Sequence, residues 1–396
     1  MCVRNAGQSR RCGGGRGSPA GGGRSRGGGG RPARAAARGR AGGAAPSGGG
    51  FSSMPPWQPG PTSGAGTWAD RHYPAMREWM GYVERYMKDG LLTRWPDTPY
   101  RDWFLGDWLA PHGVDTGSEA SVSLVNNCFV SDCYARMAQM ARLTGHDDEA
   151  AAFEARREAL NRTIHARFYD PATQTYATGS QLDMTYPMLV GATPDSLRAG
   201  VEQRLFRLTH DVMKDHIGGG LVGVPVITRW AVRSHNPEFI YRMLKQRGYP
   251  GYLHMIDHGA TATWEYWSGE RSRVHNCYNG IGTWFYQALG GLRTDSSHPG
   301  YEHVFIDPQI PEGVEWCRIG KETPYGRIDL GWEIADGELR IDVTLPPGVT
   351  ATAITPAGAC RGRLDGRRLA PQSPGTKIAS GRHRLVFGLA PQNERQ

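Results

Sequence analysis

The segment Thr261-Ala262-Thr263-Trp264-Glu265-Tyr266-Trp267 sets one carboxylate among aromatic side chains. Aromatic rings stack on the apolar faces of sugar rings. A carboxylate held beside them can take a proton from water or attack as a nucleophile. A surface glutamate among packed tryptophans would read the same way, so residue types alone leave both readings open. His254 and His258 stand four apart, which puts two metal-ligand types on one helix face. A zinc site also needs a third protein ligand and an open position. HExxH is absent, and loop hydrogen bonding or substrate contact accounts better for the pair, so no metal is expected. Gly218-Gly219-Gly220-Leu221-Val222-Gly223 formally fits GxGxxG. The dinucleotide mechanism requires a strand before the glycines and an acid about 20 residues beyond. Neither context is convincing, so a Gly-rich loop between helices is expected, with no cofactor. No Gly-x-Ser-x-Gly stands between a strand and a helix, and there is no P-loop, so acyl and phosphoryl transfer are poorly supported.

These residues need a scaffold, and periodicity supplies its outline. Helical signals dominate from about 71 to 292, enough for about eight helices. Phe153, Leu160, Ile164 and Phe168 recur at seven and four, and Val201, Leu205, Leu208 and Val212 at four, three and four. Both are one-face helical spacings. Gly145 and Pro194 punctuate between such segments as helix stop and start signals do. The period then becomes two: Ile328, Leu330, Trp332 and Ile334 alternate with polar or small residues, and so do Leu339, Ile341, Val343 and Leu345. That pattern predicts antiparallel strands packed on one face. The expected class is mainly α with a β domain. In it an incomplete (α/α)6 toroid over 70–295 precedes a small antiparallel β-sandwich over 298–390.

The formal charge of +8 divides unevenly along the 396 residues: residues 1–50 hold ten Arg and no acid, leaving −2 for the rest. With 18 Gly and 9 Ala among them, those 50 residues have too little apolar surface to offset their ordering entropy. A disordered tail is expected there, followed by a Pro/Gly/Ser linker over 51–69. The tail is Arg-rich as transit peptides are, but richer in Gly than Ser and without amphipathic period, so the compartment stays open. A basic nucleic-acid-binding fold is not expected. No apolar run approaches the ~18 residues of a membrane span. The seven cysteines form no CxxC pair, which speaks against a disulfide scaffold or a zinc site. The sequon Asn161-Arg162-Thr163 falls inside a helical pattern and reads as chance.

Six stretches carry a resemblance to a known family: Gly106-Asp107-Trp108-Leu109-Ala110-Pro111; Gly220-Leu221-Val222-Gly223-Val224-Pro225; Tyr249-Pro250-Gly251-Tyr252-Leu253; Gly259-Ala260-Thr261-Ala262-Thr263-Trp264-Glu265; Pro299-Gly300-Tyr301; and Thr323-Pro324-Tyr325-Gly326. From about 56 to about 357 the chain resembles the catalytic (α/α)6 domain and trailing β-sandwich of bacterial-type α-L-rhamnosidases, glycoside hydrolase family 78. The resemblance implies inverting hydrolysis of terminal α-L-rhamnose. It makes Glu265 the general base, His275 a sugar ligand, and Trp68 and Trp108 pocket walls against the sugar's C6 methyl. Asp70 and Asp107 match neighbouring acids, and Trp264 adjoins the base. The implied partner is a rhamnose-containing glycoside or polysaccharide, with no nucleic acid and no membrane; oligomeric state and aglycone stay open.

One part of the family pattern has no counterpart. The family's general acid lies in an Arg-(Asp/Glu)-Glu-Arg-x-Gly-Trp-x-Gly-Asp segment upstream of Trp68, where this chain has its Gly/Arg tail. The first helices of the toroid and the amino-terminal β-domains of the family have no counterpart either. Two expectations therefore stand: a rhamnosidase-type glycosidase, or a truncated carbohydrate-binding remnant that lacks the acid.

Overall fold

The computed structural model describes residues 65–94, 104–111, 118–370 and 375–389. The tail over 1–50 and most of the expected linker lie outside the described residues. Helix α1 (Ala65–Glu84) begins inside the span expected to be linker. The Pro- and Gly-rich composition ends at Gly64, and Ala65, Trp68 and Ala69 can already propagate a helix. Two short antiparallel strands follow, β1 (Met87–Lys88) and β2 (Leu91–Leu92).

Helix α2 (Glu119–Leu143) is buried almost all round and packs against α1 and two later helices. Ser118 caps it, its hydroxyl accepting from the Ser121 N–H at 3.2 Å. A turn through Gly145, in the left-handed region at φ 73°, reverses the chain into α3 (Asp147–Phe168). There Phe153, Leu160, Ile164 and Phe168 are all buried, as their spacing predicts. Asn161 of the sequon is buried as well, accepting from Ser131 Oγ and donating to the Val190 carbonyl.

A hairpin of β3 (Tyr169–Asp170) and β4 (Thr175–Tyr176) leads to α4 (Gln181–Val190), which ends at Gly191 in the left-handed conformation. Helix α5 (Asp195–Arg207) then runs into a single π-turn over Leu208–Val212. The N–H of Met213 donates to the Leu208 carbonyl across five residues, at 2.9 Å. The wider turn rotates the expected apolar stripe off its face: Val201 and Leu205 are buried, but Val212 is 72% exposed. Helices α6 (Gly223–Arg233), α7 (Pro237–Leu244), α8 (Tyr252–Asp257) and the short α9 (Gly282–Trp284) complete the domain among the described residues.

Two β-sheets follow. The first orders β13 (Gly375–Ile378), β10 (Thr350–Ile354), β6 (His303–Ile306) and β5 (Leu292–Thr294). The second orders β12 (Arg367–Arg368), β11 (Ala359–Leu364), β14 (Gly381–Leu389), β9 (Glu338–Leu345), β8 (Gly326–Ala335) and β7 (Trp316–Thr323). Ile328, Leu330 and Trp332 on β8, and Leu339, Ile341, Val343 and Leu345 on β9, point into the core. One pair, β6 with β10, is parallel, because the long excursion through β7, β8 and β9 returns the chain in the same sense. The sandwich begins at Leu292 rather than 298, since β5 already pairs with β6. Polar bonds fasten it to the helices: Trp332 Nε1 donates to the Leu289 carbonyl at 2.7 Å, and Gln309 Nε2 to the Val232 carbonyl at 2.9 Å.

The helical core contains an ion pair. Asp132 on α2 receives two hydrogen bonds from Arg229 on α6, at 3.0 and 3.2 Å, and one from Arg136. Burial alone would raise the Asp132 pKa, but the two guanidiniums win and hold it well below the usual carboxylate range. The folded value lies below the unfolded one, near 3.9. The pair therefore stabilises fully above about pH 4, and its contribution is lost as pH falls toward the folded value. Asp132→Asn is expected to cost about 2 kcal/mol at pH 7, because it strands Arg229, although solvent still reaches part of that guanidinium. Denaturant midpoints at pH 7 and pH 3 check this: the penalty should shrink at the lower pH.

Candidate active site

Four of the six sequence stretches meet in one hydrogen-bonded knot. Asp107 is 5% exposed and spends its carboxylate on backbone. It accepts from the N–H groups of Gly220, Val222 and Gly223 at 2.6, 2.9 and 2.9 Å. The Gly223 N–H is the first orphan donor of α6, and the other two lie in the loop that leads into it, so Asp107 holds the entry to that helix from 116 residues away. The neighbouring Trp108 carbonyl accepts from the Leu221 N–H at 2.7 Å. Glycine is required here for close approach. A Cβ on Gly220 would lie 2.1 Å from the Trp108 oxygen, and one on Gly223 2.4 Å from the Asp107 carboxylate. The Gly-rich stretch is thus a loop before a helix, as its context predicts, held by an acid and not by a phosphate.

Tyr278 ties the carboxylate loop to this unit. Its hydroxyl lies 2.9 Å from the Leu109 carbonyl and 3.1 Å from the Glu265 carbonyl. Burial above all, with the Asp107 charge nearby, pushes its pKa far above the ordinary phenol value, so the donor keeps its proton. Leu109 itself holds a left-handed backbone at φ 62°, an uncommon place for a branched side chain. The Trp267 ring stacks on Tyr278 with centroids 4.0 Å apart, and its Nε1 donates to the Gly219 carbonyl at 3.0 Å. Tyr252 donates to the Tyr278 carbonyl, and Tyr249 to the Pro111 carbonyl.

Glu265 is held by its backbone and left accessible at its carboxylate. Its N–H donates to the Ser272 carbonyl at 2.8 Å, closing a loop. Among the described residues only the Ser272 N–H reaches the carboxylate, at a long 3.3 Å. The group is half-buried and keeps lone pairs available to a water molecule. His275 returns beside it: its N–H donates to the Thr263 carbonyl, and its Nδ1 accepts from the Cys277 N–H at 3.1 Å. That bond fixes Nδ1 as the unprotonated nitrogen and leaves Nε2 as a donor for a ligand. Burial and the charges of Glu265 and Asp107 push the Cys277 thiol up to about 12, so it stays protonated.

The expected site residues divide accordingly. Glu265, His275 and the half-buried Trp108 share the knot and remain accessible. Asp107 belongs to the knot, but its carboxylate is committed to α6, which gives it a positioning role in place of sugar contact. Trp264 is corrected more strongly. It is 2% exposed, packed against Gly269 and under the Arg273 guanidinium at 5.0 Å, because the loop folds its ring into the core. Asp70 is exposed on α1, a helix that packs against α2. Trp68 lies in the same helix, and its side chain lies outside the described residues. Tyr278 and the anchoring role of Trp267 leave no trace in periodicity, because Leu109 and Gly219 lie far away in sequence. His254 and His258 sit together, with ring centroids 4.1 Å apart, and His258 Nδ1 meets the His254 carbonyl.

Tyr278→Phe keeps the stack on Trp267 and removes the bridging hydroxyl. Two buried carbonyls lose the one proton they share, so a loss of about 1–2 kcal/mol is expected. Urea unfolding of the variant checks it, with near-ultraviolet circular dichroism confirming that the aromatic packing survives.

Paired helices and an appended β-sandwich frame a carboxylate on an aromatic loop. Residues 35–289 match the bacterial alpha-L-rhamnosidase 6 hairpin glycosidase domain, and residues 291–367 the bacterial alpha-L-rhamnosidase C-terminal domain. The chain belongs to the bacterial α-L-rhamnosidase family. It is 24% identical over 327 residues to an α-L-rhamnosidase of Alteromonas sp. (strain LOR), covering 78% of this chain and 34% of that protein. It is 25% identical over 297 residues to one from Streptomyces avermitilis, covering 72% of this chain and 27% of that protein. The structure of a Streptomyces avermitilis α-L-rhamnosidase complexed with L-rhamnose superposes with a TM-score of 0.69 at 21% identity, covering 81% of this chain and 31% of the other. That of native α-L-rhamnosidase from Aspergillus terreus gives 0.67 at 18% identity, covering 80% and 36%. The chain therefore spans about a third of the length of the relatives it matches.

Proposed function

We propose that this chain handles terminal α-L-rhamnose and that Glu265 is the general base of an inverting hydrolysis. The observation that carries the reading is the contrast within Glu265: a backbone fixed by Tyr278 and Ser272, and a carboxylate that one long hydrogen bond leaves able to accept a proton. A base must be positioned firmly and solvated lightly. His275, with Nε2 free to donate, and Trp108, with an apolar face, suit a sugar bearing both hydroxyls and a methyl group. In inversion a second, protonated carboxyl serves the leaving oxygen while the base activates water on the opposite face. His275→Ala is expected to weaken rhamnose binding by about tenfold, the scale of one hydrogen bond to a sugar hydroxyl, read by calorimetry.

A second reading, rhamnose binding without turnover, is favoured by one observation: a carboxylate held by one long hydrogen bond accepts from a sugar hydroxyl as readily as from water. Incubation of the purified chain with a panel of aryl glycosides decides between the two. Turnover confined to the α-L-rhamnoside supports hydrolysis. Rhamnose binding without any turnover supports the binding reading, and neither binding nor turnover of rhamnosides overturns both.

A further inference from the structure

The loop between β5 and β6 gathers three side chains that the site above does not use. Asp295 Oδ2 lies 2.9 Å from Nδ1 of His298 and 2.9 Å from Nδ1 of His303. All three ligand-type atoms fall within 4.8 Å of one another. We propose that Asp295, His298 and His303 form a binding site for a divalent first-row transition ion such as Zn²⁺ or Ni²⁺.

The geometry and the surrounding groups both support such an ion. Adjacent ligands about 2.1 Å from one ion stand roughly 3 Å apart, so the observed separations need only a small withdrawal of the carboxylate. Two imidazoles and one carboxylate favour zinc, nickel or copper over calcium and magnesium, which prefer all-oxygen shells. The ligands are also oriented from behind. Asp295 Oδ1 accepts from the N–H and the hydroxyl of Ser297, at 2.9 and 2.7 Å, which turns Oδ2 toward the histidines. His303 Nε2 lies 3.0 Å from Thr352 Oγ1 on β10. Metal binding at Nδ1 puts the single imidazole proton on Nε2, and Thr352 is placed to accept it. Asp295 and His303 are largely enclosed, while the His298 side chain is 54% exposed and leaves room for water to complete the shell.

The site lies where the sandwich meets the helices. Gln139 on α2 donates to the Ser296 carbonyl at 2.8 Å, within the same loop. An ion there would fasten the β5–β6 connection and, through it, the seam between the two domains. It would stabilise the fold and take no part in the chemistry at Glu265.

The test is calorimetric titration of the untagged full chain with Zn²⁺ and separately with Ni²⁺, together with melting curves with and without each ion. One ion per chain is expected, with a higher melting temperature. His298→Ala, at a half-exposed position that should not disturb folding, is expected to weaken binding tenfold or more and to abolish the thermal shift. His254→Asn at the other histidine pair should change neither. The proposal is overturned by absence of a binding heat, by binding that survives His298→Ala, or by binding that His254→Asn removes.

Discussion

Replacing Asp107 with alanine is expected to lower the unfolding free energy by about 4 kcal/mol, more than any other single change near the site. The carboxylate accepts three backbone N–H bonds in a buried place, and alanine leaves all three donors unsatisfied. A bond to a charged acceptor contributes about 1.5–3 kcal/mol, and the sum falls short of additivity because the loop relaxes. The negative charge at the start of α6 adds a favourable interaction with the helix dipole. Helix α6 packs against α4, α7 and α9, so the loss spreads into the core. Asp107→Asn retains one accepting oxygen and should cost about half as much. Urea unfolding reads both variants, with a lowered midpoint at unchanged slope. A loss under about 1 kcal/mol for the alanine variant would show that the glycine loop is anchored by something else, and the positioning role would fall.

That role was illegible in the sequence, for a reason that applies to the whole site. Periodicity reports which face of an element is buried. It located the core of α3 and the inward residues of β8 and β9, whose neighbours are local and regular. It misplaced Val212, because a single π-turn changes the angular step and leaves no mark in residue type. Glu265 among aromatics left sugar handling and a packed surface glutamate both open, and the parts played by its aromatic neighbours were not legible. Trp264 and Trp267 differ by three positions and both are buried, yet only Trp267 donates into the knot. Asp107 was a candidate only through the family resemblance, which names no bonding partner for it. Its partners are more than a hundred residues away, and no local pattern encodes them.

The knot also explains why stretches so far apart in sequence matter together. Asp107 locks the Gly220 loop, Trp267 binds that loop from the far side, and Tyr278 bridges Leu109 to Glu265. Each bond ends on backbone, so side-chain freedom enters only at Glu265, His275 and Trp108. A reacting group has to be held within a fraction of an ångström, and fixing its backbone from several directions is the most direct way to do so. Changes that loosen the knot should therefore reduce binding and any turnover together, whereas changes at the accessible groups should separate the two.

Glu265→Gln makes that separation sharpest. Glutamine has nearly the same shape and can still accept from the Ser272 N–H, so the loop and rhamnose affinity should be preserved. It cannot take a proton from water. Loss of a general base costs about 10²–10⁴-fold in rate, so turnover of an aryl α-L-rhamnoside should fall by that factor with little change in KM. The acidic limb of the pH–rate profile, which reports the base, should disappear in the residual activity. Added azide offers a further check: a small anion can replace the activated water at an inverting base and restore part of the rate. Unchanged turnover in Glu265→Gln would remove this residue from the mechanism. A fall in rate accompanied by an equal loss of rhamnose binding would instead assign Glu265 to holding the sugar, and the base would have to be sought among the other carboxylates.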